Sequence, residues 1–113
     1  MIFHITFKSV WKRAQRAGVY WYGSLEDDGF IHCANGDQVI DVANKLYRGQ
    51  TDLALLCIDE TLVPHPIKYE DLYQSQQSYP HIYGPLNLDA ITSVVALTPE
   101  ADGTFSLPNA LRR

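Results

Sequence analysis

The segment LALLCI (53–58) is an unbroken apolar run with an aspartate on each side. A run this short is typical of a strand covered on both faces, because a strand exposed on one face alternates polar and apolar residues. The segment AITSVVAL (90–97) has a similar pattern. We therefore expect these two segments to be the central strands of the sheet.

The first half of the chain predicts a third strand and two helices. IFHITF (2–7) alternates like a half-buried strand, and its period of two places His4 and Thr6 on its polar face. A helix should follow from a cap at Ser9 to about Ala17, with Gly18 as its left-handed stop. A second helix, capped by Asp37, should place its apolar face on Val39, Ile40, Val42, Ala43, Leu46 and Tyr47.

The second half predicts mainly strands and loops. HPIKYEDL (65–72) alternates like a strand, whereas the stretch 73–89 contains prolines and small polar residues and is interpreted as a structured loop. An Asp102-Gly103 turn should lead into a short strand at 104–107. Two early helices and about six short strands predict an α+β fold with a mixed, split β-sheet, in a single domain spanning 1–113.

Composition excludes several classes of function. The chain has 113 residues, 46% of them apolar, and a net charge of −4, which argues against binding duplex nucleic acid. No apolar window is long enough for a membrane span, and the first residues lack the pattern of a secretory leader, so we expect a cytoplasmic protein. Cys33 and Cys57 are expected to be reduced thiols rather than a disulfide.

Three of the four histidines lie in similar segments, FHIT, IHCA and PHIYGP, which contain His4, His32 and His81. Histidine serves as an acid, a base or a metal ligand near neutral pH, so three in one small domain suggest a common pocket. Each one, taken alone, also fits a buried histidine bonded to the backbone. None of the spacings is typical of metal ligands, and we predict no metal site.

Three further residues are candidates near this pocket. Cys33 precedes a helix, yet neighbouring strand residues point to opposite faces, so His32 should face the pocket while Cys33 packs inward. His81 and Tyr83 share a face of an extended segment, where the tyrosine can stack on a planar ligand. Gln38 lies near the start of the second helix, where it either reaches a ligand or is simply exposed.

The ordered motifs FHIT, GFIHCA, VANKLYRGQTDLALLCID and PHIYGPL resemble the uncharacterised bacterial family called domain of unknown function 952, over about residues 2–97, leaving a C-terminal tail at 98–113. That family resembles a compact, remote member of the ADP-ribosyltransferase-like fold, in which a split sheet holds NAD in a cleft. The resemblance implies that His4 contacts the ribose and that His32 supports the cofactor. The late glutamate of that superfamily has no clean match; His81 and Tyr83 stand near its position, and Glu70 is the nearby carboxylate.

These observations lead to one main hypothesis and two alternatives. The main hypothesis is a histidine-lined cleft that binds NAD or a related nucleotide and transfers ADP-ribose, with catalytic residues His4, His32 and His81. Tyr83, Gln38 and Tyr20 are the expected cofactor-binding residues. The alternatives are a non-catalytic module that binds a small ligand or a protein, and a thiol- or metal-dependent enzyme.

Overall fold

A computed structural model describes residues 1–21, 23–72 and 74–111 of the chain. Its α-helices are α1 (Lys8–Ala17), α2 (Ser24–Asp27) and α3 (Val39–Leu46). Short 3-10 turns lie at Glu60–Leu62, Leu88–Ala90 and Asn109–Leu111. The strands are β1 (Ile2–Phe7), β2 (Val19–Tyr20), β3 (Ile31–His32), β4 (Leu53–Ile58), β5 (Ile67–Glu70), β6 (Tyr79–Ile82), β7 (Leu86–Asn87) and β8 (Ile91–Leu97).

The described strands form three small sheets, with orders β1-β4-β8, β2-β7 and β3-β6-β5. This confirms the α+β class, but the expected mixed sheet is wrong, because the strand pairs of all three sheets are antiparallel. The connection between β5 and β6, residues 71–78, illustrates the reason. It is shorter than the crossover of a dozen or more residues that a parallel pair needs.

The apolar run 53–58 is the central strand β4, and all six of its residues are buried. The second predicted central strand, β8, lies instead at the edge of the same sheet, with Thr92, Ser93 and Val94 exposed. An apolar run reports the preference of its own side chains but not the number of strands that flank it. The prediction for 90–97 was therefore right about the strand and wrong about its position.

The stretch 73–89, interpreted as a loop, contains the strands β6 and β7; its first residue, Tyr73, lies outside the described residues. Pro80 lies within β6 opposite Tyr69, and its carbonyl accepts the N–H of Cys33 at 3.0 Å. β6 is the middle strand of its sheet. Proline and glycine content therefore gave the wrong interpretation of the segment that carries His81.

Both main helices form where they were predicted, but neither predicted cap is used. α1 begins at Lys8 with Phe7 as its N-cap and no side-chain cap, while Gly18 ends it at φ 81°, as expected. α3 has Gln38 as its N-cap, also without a side-chain cap, so the Asp37 prediction was wrong. The carbonyl of Asn35 accepts the N–H groups of Gln38 and Val39 instead.

The C-terminal tail packs without forming the predicted strand at 104–107. The Asp102-Gly103 turn does form, with Gly103 at φ 87°. Phe105 is 4% exposed and lies in the core. The Asn44 side chain accepts from the N–H of Phe105 at 2.7 Å and donates to its carbonyl at 3.2 Å, so this backbone is satisfied without a strand partner.

Two apolar clusters flank the sheet β1-β4-β8. One contains Tyr20, Leu56 and Ile82, and the other contains Ile5, Leu55 and Phe105. Within the described ranges, no helix is both long and apolar enough to cross a membrane.

Candidate functional site

His32 and His81 lie on the same face of the sheet β3-β6-β5, because they are directly opposed in the register of β3 and β6. Their ring centroids are 5.5 Å apart. Phe30 contacts both rings, at 4.7 Å from His32 in an edge contact and at 4.2 Å from His81 in a stack. The antiparallel pairing of two short strands thus unites histidines that are far apart in sequence.

His81 is 1% exposed, and a carboxylate fixes its orientation. Its Nδ1 lies 3.1 Å from Oε1 of Glu70, which also accepts the Tyr83 hydroxyl at 2.5 Å. The hydrogen bond from Tyr83, followed by the bond from His81, lowers the pKa of Glu70, so this carboxyl stays ionised at neutral pH. The same bond to Glu70 raises the pKa of Tyr83 to about 12.

This geometry determines the tautomer of a neutral His81. An ionised carboxylate only accepts hydrogen bonds, so Nδ1 must carry the proton and Nε2 must carry the lone pair. Among the residues that the structure describes, Nε2 has no hydrogen-bond partner. A buried imidazole with one nitrogen held by a carboxylate and the other unbonded is the arrangement of a general base.

His32 forms a second carboxylate–imidazole pair, in a more exposed position. Its Nε2 lies 3.0 Å from Oδ2 of Asp28, and the two side chains are 37% and 46% exposed. Water screens such a pair, so it contributes little to stability. The pair matters for the site because it places a second carboxylate beside the face on which His81 lies.

His4 is only 2% exposed and differs from the other two because both of its ring nitrogens are bonded within the protein. Nδ1 donates to the carbonyl of His32 at 2.6 Å, and Nε2 is 2.8 Å from the Tyr20 hydroxyl, which also bonds to Thr6. Burial lowers the pKa of His4 to about 4, so it is neutral at pH 7. The expected polar face of β1 is therefore a buried hydrogen-bonded chain.

The predicted cofactor-binding residues lie around the histidines in structural positions. Tyr20 is fully buried, with its hydroxyl between His4 and Thr6. Gln38 accepts from the N–H of Asn35 and donates to the carbonyl of Ser78, so it joins the start of α3 to the loop before β6. Tyr83 holds Glu70 and lies 4.8 Å beneath the ammonium group of Lys68.

A cleft of about 460 Å³ is lined by all three histidines, together with residues of β1, α3 and β6. Its walls are mainly apolar, and the aromatic members are Phe3, Tyr47 and Tyr79. Lys45 is the one lysine or arginine among the described lining residues. A volume of this size and an apolar wall with a few polar groups are typical of a small-molecule site.

The structure gives little support to thiol or metal chemistry. Cys33 touches the wall of the cleft but is only 6% exposed and packs in the core. Burial raises the pKa of its thiol, so the nucleophilic thiolate is disfavoured. In the part of the chain that the structure describes, no three histidine, cysteine or carboxylate side chains are arranged to hold a metal ion.

Sequence reasoning left Glu70 and Asp28 out of the site, although both contact its histidines. The alternating pattern of β5 places the side chains of Lys68 and Glu70 on one face and could have pointed to Glu70. The pairing of β5 with β6, which brings that face next to His81, could not be seen in the sequence. Asp28 belongs to the acidic run 26–28, a pattern that is typical of a solvated loop and gives no sign of a contact with His32. Leu46, predicted on the apolar face of α3, is 69% exposed and lies on the cleft wall instead.

Comparison with known proteins identifies relatives but no activity. No curated protein matches the sequence. A crystal structure of protein CC0527 from Caulobacter crescentus is 31% identical, with a TM-score of 0.87, and the match covers 97% of this chain and 96% of that one. The solution NMR structure of CC0527 gives a TM-score of 0.83, also at 31% identity, and covers 97% of this chain and 95% of that one. Residues 5–94 match the family described as protein of unknown function (DUF952), and the chain therefore belongs to that family.

Proposed function

We propose that the cleft binds a small ligand and that His81, oriented by Glu70, acts on it as a general base. The observation that carries this proposal is the buried His81 ring, which lines the cleft with Nδ1 on Glu70 and with Nε2 unbonded among the described residues. A base of this kind needs a lone pair aimed at the ligand and a partner that stabilises the imidazolium after proton transfer. Glu70 supplies that partner.

The chemical step is a proton transfer. Nε2 of His81 takes the proton of an O–H group on the ligand or on a water molecule, and the electron pair of that bond remains on the oxygen. The imidazolium that forms is stabilised by the ionised Glu70, 3.1 Å from Nδ1. His32, 5.5 Å away between ring centroids, is a second group for proton transfer on the same face of the sheet.

NAD or a related nucleotide is the ligand that the family resemblance implies, and ADP-ribose transfer is the corresponding reaction. In that reaction the nicotinamide–ribose bond breaks with its electron pair going to nicotinamide, while His81 takes the proton of the acceptor that joins the ribose. The aromatic walls of the cleft suit a planar nicotinamide ring. The separation of the larger sheets β1-β4-β8 and β3-β6-β5 is compatible with the split sheet of an ADP-ribosyltransferase-like fold.

Within this proposal His4 is a positioning residue rather than a ribose clamp. Both of its nitrogens are engaged, and its Nδ1 fixes the backbone carbonyl of His32 at 2.6 Å. His4 thereby holds β3 against β1 and keeps His32 opposite His81.

The two buried free cysteines, Cys33 and Cys57, agree with our proposal of a cytoplasmic protein.

The test is an NMR titration of the purified protein with NAD, ADP-ribose and nicotinamide, each followed through amide and imidazole shifts. We expect saturable shifts at His81 and His32 and an affinity about tenfold weaker in His81→Gln, because the variant loses the basic nitrogen. His65→Gln is the matched control, since His65 is exposed and is not on the cleft wall.

Turnover separates the enzyme from a binding module. Release of nicotinamide from NAD that is abolished in His81→Gln and retained in His65→Gln supports catalysis. Saturable binding without turnover supports the alternative of a non-catalytic ligand-binding module. Absence of shifts at millimolar concentrations of all three compounds would exclude NAD and its fragments as ligands.

A further inference from the structure

We propose that the histidine end of this cleft is selective for an organic cation carried on an apolar body. This inference rests on the proposed function, because it concerns the ligand of the same cleft. It begins from His81, which is 1% exposed, lines the cleft and has one ring nitrogen without a protein partner in the described ranges. That nitrogen marks where the polar head of a ligand lies.

Two carboxylates are bonded to the histidine rings at this end of the cleft. Glu70 lies 3.1 Å from His81, and Asp28 lies 3.0 Å from His32. When both imidazoles are neutral, neither carboxylate is neutralised by its histidine. An anionic head would therefore meet two like charges, whereas a cationic head would be attracted by both.

The described cations do not reverse this balance. Lys68 is directly opposed to His81 in the register of β5 and β6 and interacts with Glu70, so it offsets part of that one negative charge. Lys45 is on the wall but comes from the last turn of α3. Glu70 and Asp28, by contrast, contact the histidine rings directly, at 3.1 and 3.0 Å.

The walls of the cleft favour the same class of ligand. Phe3, Tyr47 and Tyr79 present aromatic surface to the cleft, and aromatic faces attract ammonium groups. The exposed Leu46 provides apolar surface that an apolar ligand body would cover. A small amine with an aromatic or aliphatic body satisfies both the walls and the histidine end.

The expected selectivity is moderate, because both carboxylates are partly solvated. The side chains of Glu70 and Asp28 are 26% and 46% exposed, so water and salt weaken their attraction. We expect an amine to bind about fivefold more tightly than its neutral analogue, with a smaller difference at high salt.

The experiment compares three probes that share one body and differ in the charge of the head: phenethylamine, 2-phenylethanol and phenylacetate. Each is titrated into the intact protein at pH 7, and the shifts of His32, His81 and the cleft amides give its affinity. We expect the order amine, alcohol, acid. Glu70→Gln should reduce the preference of amine over alcohol to about twofold, and Asp41→Asn, an exposed carboxylate of α3 outside the wall, should leave it unchanged.

The outcomes distinguish the two proposals. Equal affinities for all three probes in the cleft, or tightest binding of phenylacetate, overturn the charge inference and leave the ligand-binding cleft intact. Absence of saturable shifts with all three probes overturns the charge inference, and the titration with NAD, ADP-ribose and nicotinamide then decides the proposed function. If Glu70→Gln fails to fold, Asp28→Asn provides the second test, and an unchanged amine preference in that variant contradicts a role for the carboxylates.

Discussion

His4 and His81 are both almost fully buried histidines, yet their surroundings assign them opposite roles. His4 joins β1 to β3 through a carbonyl and bonds Tyr20 through its second nitrogen, so no ring nitrogen is left for a ligand. His81 has a charged partner on one nitrogen and no described partner on the other. Burial of a histidine therefore says little about function, whereas the partners of its two nitrogens decide between structure and chemistry.

Replacement of His4 by leucine should give the largest effect, because it removes both hydrogen bonds from a buried site. The His32 carbonyl and the Tyr20 hydroxyl each lose the hydrogen bond to His4, so we expect a loss of about 2–4 kcal/mol in the free energy of unfolding. Urea unfolding measures it. His81→Leu is the comparison and should cost about 1 kcal/mol, since Glu70 remains bonded to Tyr83 and partly solvated. Equal losses in the two variants would contradict the distinction.

The pH dependence of stability should be the next largest effect and should come from His4. Burial lowers its pKa from 6.5 to about 4, so below pH 6.5 the unfolded chain takes up a proton that the folded protein does not. The stability that neutral His4 contributes is therefore present above pH 6.5 and is lost as the pH falls toward 4.

Between pH 7 and pH 5 this loss should amount to about 2 kcal/mol, and His4→Leu should abolish that part of the slope. Glu70 has a linkage of the same sign but in a lower pH window: its lowered pKa gives stability that is present above pH 4.5 and lost at lower pH. Unfolding at pH 7 and pH 5 therefore isolates His4. A wild-type slope that persists in His4→Leu would show that another group is responsible.

Glu70→Gln tests the role of the carboxylate beside His81 and should have a smaller effect on stability. The amide accepts from Nδ1 of His81 less strongly than a carboxylate does, and it no longer stabilises an imidazolium. We expect a change in unfolding free energy below about 1 kcal/mol and a partial loss of the Nδ1–H tautomer of His81, since an amide can turn either its oxygen or its NH₂ group toward Nδ1; imidazole nitrogen shifts measured by NMR report the tautomer. The imidazole nitrogen shifts of exposed His65 are the internal control, and an unchanged tautomer of His81 in the variant would contradict the role of Glu70.

Leu46→Ser should have the smallest effect on stability. Leu46 is 69% exposed, so its replacement should change the unfolding free energy by no more than about 0.5 kcal/mol. The variant should nevertheless weaken phenethylamine binding about threefold, because the apolar body of the probe loses wall area. Leu62→Ser, another exposed leucine outside the cleft wall, should change neither quantity. Weaker binding in both variants would point to a non-specific cause.

Local sequence pattern predicted the secondary structure correctly where the conformation of a segment depends little on the rest of the chain. The six buried residues of β4, the helical segments α1 and α3 and the left-handed Gly18 follow from hydrophobic period and glycine chemistry. The sharing of one cleft by His4, His32 and His81 was expected because the three occur in similar segments. The same reasoning failed at β8 and at β6, where the number of neighbouring strands decided the outcome.

Hydrophobic periodicity and side-chain type were sufficient to predict the α+β class and the positions of the main elements. They also show which residue types are available for chemistry. The tertiary structure was needed to show that His4 is hydrogen-bonded through both ring nitrogens, whereas His81 keeps one nitrogen without a described partner. That difference depends on strand register, which opposes His32 to His81 and sets Glu70 diagonally to His81. Register is fixed by long-range pairing between distant segments, and no local pattern in this sequence specifies it.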